Sequence, residues 1–132
     1  MNVKILFYAN FEAALCKLVE FIGLYDGTEI HQAGIIQAFE FTFEQCWKAI
    51  QKEAGRQGVE IASPKKALEW AMTAGWIATT GEAAWLAMLT DRNLTSHTYR
   101  EKMAHEIVDN IRLRHAAALT LLLTQMKNKV DT

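Results

Sequence analysis

The stretch richest in chemistry is Asp91-Arg92-Asn93-Leu94-Thr95-Ser96-His97-Thr98-Tyr99-Arg100, which joins two segments of amphipathic pattern and is itself mostly polar. Arg92 carries a planar, permanently charged fork matched to phosphate oxygens. Histidine, the residue type at position 97, can both take and give a proton. Asp91 falls at the end of a helical pattern, where the macrodipole disfavours a negative charge, and a local inconsistency of that kind tends to mark a site. Downstream, the start of the next helix turns unpaired N–H groups and its positive dipole end towards the same loop. Together these features make a candidate anion site suited to phosphate, with Thr95 or Ser96 able to hydrogen-bond the bound anion and Asp91 to orient Arg92. A plainer alternative stays open. Arg92 suits a last helical turn on dipole grounds, His97 can satisfy a backbone carbonyl, and Thr98 is explained as a helix cap.

Other chemistries fail on spacing. Glu101 and His105 are one residue too far apart for the Glu-x-x-His pairs of di-iron bundles. His105-Glu106 is followed three residues later by Asp109 rather than histidine, so the zincin pattern fails too. There is no Gly-rich phosphate loop, no Gly-x-Ser-x-Gly elbow and no convincing Cys–His pair. Cys16 and Cys46 are isolated, too few for a disulfide framework or a zinc site, and read as reduced, buried thiols. Neither a metal nor another cofactor is expected. Glu40 and Glu44 share a helix face and read as a solvated acidic face. His31, His105 and His115 read as surface or interhelical groups.

The elements that must position this stretch are helical. With 132 residues and 14.9 kDa, the chain allows one domain over 1–132 and no second core. One proline and seven glycines are too few turn residues for a many-stranded sandwich or barrel. The net charge of -1 provides no global field for nucleic acid, so any such contact needs a local patch. Apolar runs fall far short of the roughly 20 residues that span a bilayer. Met1-Asn2-Val3-Lys4 is not followed by a secretory apolar region, and a cytoplasmic protein is expected.

Phe7, Phe11, Leu15, Leu18 and Ile22 recur at spacings of three and four before Gly23. A second helix is predicted from a capping box at Asp26 and Glu29 to a C-terminal Gly55. On it, Ile35, Ile36, Phe39, Phe43, Cys46, Trp47 and Ile50 fill one arc, whereas Phe41 and Ala38 fall outside it. That second apolar spot is either a lone exposed aromatic or the seat of another partner such as a second subunit. Ser63 with Pro64 predicts the start of a short third helix ending at Gly75. Boxes at Thr79/Glu82 and Thr98/Glu101 predict a fourth helix, fading after Arg92, and a long fifth, uninterrupted through Leu122. With no period-two alternation, the fold class is all-α: an antiparallel four/five-helix up-and-down bundle.

Arg92, four residues, His97, one residue and Tyr99 form an Arg-x4-His-x-Tyr string that resembles HEPN domains. Within that group the chain is similar to nucleotidyltransferase substrate-binding proteins. The likeness extends through Asp91 to Tyr99, Phe39-Glu40-Phe41-Thr42-Phe43-Glu44, Cys46-Trp47-Lys48, Ser63-Pro64 and Ala74-Gly75-Trp76, covering about residues 5 to 125. The resemblance implies a homodimeric helical bundle paired with a minimal nucleotidyltransferase as a toxin–antitoxin couple. It implies Arg92 and His97 as catalytic for metal-independent RNA cleavage, one motif from each subunit facing a shared cleft. Asp91, Asn93, Thr95 and Ser96 would support them, and Tyr99 would accept AMP from the partner enzyme, which silences the toxin. The alternative is a non-catalytic docking or substrate-binding subunit of the transferase, towards which the near-zero net charge leans.

Overall fold

Helical periodicity becomes six α-helices among the described residues of the computed structural model, which describes residues 6–97 and 100–131. They are α1 (Ala9–Gly23), α2 (Glu29–Arg56), α3 (Pro64–Thr73), α4 (Glu82–Leu94), α5 (Glu101–Asn110) and α6 (Ala116–Asp131). The second is the organising element. It packs against α1, α3, α4 and α5, while α6 runs against α1, giving an antiparallel bundle. Its inward arc is the one the spacing predicts: Ile35, Phe39, Phe43 and Ile50 are fully buried, meeting Phe11 and Leu18 from α1 and Met88 from α4. Thr42 sits in the same core without an unmet polar atom. Its hydroxyl lies 2.7 Å from the Ala38 carbonyl and 3.1 Å from the Ala14 carbonyl of α1.

The third helix starts as its residues dictate. The Ser63 hydroxyl accepts from the Lys66 N–H at 3.2 Å, and Pro64 fills the first helical position, where a missing donor is harmless. Gly75, at φ +82°, ends it: the Trp76 N–H reaches back to the Ala71 carbonyl and the Gly75 N–H to Met72. Replacing Ser63 by alanine is expected to lower the unfolding free energy by about 1 kcal/mol in urea titration, with the m-value unchanged.

Other boundaries differ from the sequence reading. The cap of α2 is Thr28, whose hydroxyl accepts from the His31 N–H, while Asp26 accepts from the Thr28 N–H and hydroxyl. Those bonds hold the Asp26 carboxyl below its ordinary range. Gly58, at φ +85°, ends α2 in place of Gly55, with the Val59 N–H bonded to the Ala54 carbonyl. Thr79 opens a 3-10 turn, and α4 starts at Glu82 behind Gly81 without a side-chain cap. Glu101 is the first residue of α5 behind Arg100, so it is not in the third helical position that a box requires; Thr98 lies outside the described residues.

The fifth helix does not run uninterrupted. Between α5 and α6 the chain makes a π-helical turn, Ile111–His115. Cys46 is buried, which pushes its thiol well up, but Cys16 is exposed, against the expectation of two buried thiols. Phe41 keeps 59% of its surface exposed, whereas Ala38 is buried.

Candidate functional site

Arg92 stands in the last turn of α4, and Thr95 follows in the 3-10 turn Thr95–His97. The tight turn folds the chain back, so the Thr95 hydroxyl lies 2.7 Å from the Arg92 carbonyl and 3.1 Å from Arg92 Nη1. Glu40, on α2, completes the cluster: its Oε2 is 2.8 Å from the Thr95 hydroxyl and 3.5 Å from Arg92 Nη1. A threonine hydroxyl has one proton, so it accepts from the guanidinium and donates either to Glu40 or to the Arg92 carbonyl. The buried Thr95 is thus the hinge pin between α2 and the end of α4.

Only one edge of the guanidinium is used. Arg92 Nε and Nη2 have no hydrogen-bond partner among the described residues, and the Arg92 side chain is 33% exposed. It borders a shallow open groove of about 520 Å³ that runs along α2 past Gly34, Gln37, Ala38, Glu40, Phe41 and Glu44. Glu44 accepts from Trp47 Nε1 at 2.9 Å and pairs with Lys48 at 3.3 Å. The Trp47 bond, opposed by partial burial and helped by Lys48, holds the Glu44 carboxyl below its usual range. Glu40 and Glu44 are therefore engaged groups, not a purely solvated acidic face.

The remaining polar residues of the stretch divide. Asn93, Ser96 and His97 are exposed, on the outer side of the α4 end and the turn that follows it. Tyr99, the expected AMP acceptor, lies outside the described residues. Asp91 points inward and does not hold Arg92. Its Oδ2 is 2.7 Å from Nε2 of His115 and 3.0 Å from Nδ2 of Asn110. His115 is buried, with its ring stacked on Phe39 at a centroid separation of 5.5 Å.

Sequence reasoning left His115 among the bland histidines and did not single out Asn110. The only available signal was Asp91 at the wrong end of a dipole, which called for a cationic or donor partner somewhere. No group of three or more metal-ligating side chains occurs among the described residues, and no helix there is long and apolar enough to cross a membrane.

The model of the family described as nucleotidyltransferase substrate binding protein like matches residues 6–128. A solved protein from Thermus thermophilus is similar in structure, with a TM-score of 0.80 and 34% sequence identity. The match covers 89% of this chain and 98% of that one. Among curated proteins, none matches.

Proposed function

Since the chain belongs to the nucleotidyltransferase substrate-binding-protein-like family, we propose that it is the HEPN-type toxin of a pair with a minimal nucleotidyltransferase, cleaving RNA without a metal. The observation that carries this reading is the half-committed guanidinium. Arg92 is braced on one edge by Thr95 and Glu40 and offers Nε and Nη2 at a groove, just before a turn that carries the exposed His97. In the proposed reaction, one histidine takes the proton from a ribose 2′-hydroxyl as its oxygen attacks phosphorus. A second gives a proton to the departing 5′-oxygen as the P–O bond breaks, leaving a cyclic phosphate and a 5′-hydroxyl. Arginine stabilises the charge that builds on the phosphoryl oxygens.

Two histidines imply two copies of the chain. The α2 face is suited to a homodimer. It combines exposed Phe41 and Ile30 with carboxylates at Glu40 and Glu44 and cations at Arg92 and Lys48, so a two-fold-related copy can match both apolar surface and charge. Tyr99, two residues after His97, is proposed as the acceptor of AMP from the partner. The modification adds bulk and negative charge beside a cationic site.

A second reading, a docking subunit that cleaves nothing, is favoured by one observation. Glu40 and Glu44 border the same groove as Arg92 and repel phosphate. Incubating purified protein with total RNA in EDTA separates the two. Cleavage leaving cyclic phosphate ends is expected, and intact RNA at every protein concentration would leave only the docking role. With the partner and ATP, the intact mass is expected to rise by AMP in the parent and to stay unchanged in Tyr99→Phe.

A further inference from the structure

Asp91 is a buried carboxylate on a helix whose next residue is the proposed phosphate-binding Arg92. A carboxylate taken out of water needs donors, and here both converge on one oxygen, from Asn110 and His115. Those two residues are five apart. In an α-helix they would stand about 140° apart around the axis and could not meet one group. The π-helical turn Ile111–His115, with its wider i→i+5 spacing, brings them to one face. His115 is then fixed from its other side by the ring of Phe39.

The pattern is paired along two helices. Phe39 and Asp91 point into the buried cluster, and their immediate successors Glu40 and Arg92 point to the groove and to one another. Successive residues on a helix are about 100° apart. A small roll of α4 that releases Asp91 therefore carries Arg92 out of register with Thr95 and Glu40. A buried polar contact of this kind is weak as a source of stability relative to apolar packing, and its best-attested use is to fix register.

We propose that Asn110 and His115, aligned by the π-helical turn, are positioning residues for Arg92: by holding Asp91 they set the rotation of α4 from which the guanidinium projects. This deepens the functional reading above and rests on Arg92 acting at the groove. The test compares His115→Leu, which leaves the carboxylate without that donor, with His115→Gln, whose amide still donates.

In ¹⁵N- and threonine-methyl-labelled protein, the Arg92 Nε–H and Thr95 methyl resonances are expected to move away from their parent positions in His115→Leu and to return in His115→Gln. RNA cleavage is expected to follow, with a loss in kcat of roughly tenfold to a hundredfold and little change in KM. A folded His115→Leu protein in which both resonances stay put overturns the proposal, since a merely structural role lowers the melting temperature without moving Arg92. If His115→Leu does not fold, Asn110→Ala, which keeps the histidine, decides in the same way with a smaller expected shift. Should the parent protein cleave no RNA, the functional reading fails, while the two resonances still decide the positioning role.

Discussion

His97→Ala is expected to lower RNA cleavage by about 10²–10⁴-fold, the range lost when a positioned acid or base is removed. The same variant is expected to keep its melting temperature, because His97 is exposed in a short 3-10 turn and truncation opens no cavity. That separation of activity from stability is what makes the experiment decisive.

Arg92→Lys gives the matching arm. Lysine keeps the charge but loses the planar fork, so it cannot hold Thr95 with one edge and a phosphate with the other. A loss on the order of 10²-fold or more is expected, expressed in kcat. In cells, expression without the partner is expected to slow growth for the parent and not for His97→Ala. Equal toxicity of the two would remove histidine from the mechanism, and with it the acid–base chemistry.

How far the sequence reached differs between elements for physical reasons. Spacing alone located α2 and its buried arc, because a 28-residue helix repeats its apolar pattern often enough to leave no second phase. Ser63-Pro64 and Gly75 were legible because each residue type satisfies a local steric or hydrogen-bonding need. The box of equal local merit at Thr79/Glu82 was not realised: Thr79 opens a 3-10 turn and α4 starts only at Glu82, since box spacing carries no knowledge of tertiary context.

The π-helical turn was invisible for a related reason. One extra residue per turn hardly disturbs a three-and-four pattern, and the carboxylate that its two donors meet lies on another helix. The site shows the same division. Arg92 and His97 are recognisable by type and spacing, but Glu40, 52 positions earlier than Arg92, enters only when α2 and α4 pack. Asp91 was singled out by its conflict with the helix dipole, yet the groups that resolve the conflict are Asn110 and His115, neither of them near it in sequence.

Phe39 and Phe41 turn this into a stability contrast within a single turn of α2. Phe39 is fully buried, 6.3 Å from the Phe43 ring and stacked on His115. Phe39→Ala is expected to cost about 3–5 kcal/mol, from lost transfer free energy and the cavity left behind, and to lower the melting temperature by on the order of 10–20 °C. Phe41, two residues on, faces the groove with 59% of its surface in solvent, so Phe41→Ala is expected to change the stability of the isolated chain by no more than about 0.5 kcal/mol. If a second copy of the chain covers that face, the ring is an interface anchor. Its loss then weakens dimerisation by about 2 kcal/mol, roughly thirtyfold in dissociation constant by sedimentation. A dimer indifferent to Phe41→Ala would move the subunit interface off α2, and the two Arg92–His97 motifs would then have no shared groove in which to divide acid from base.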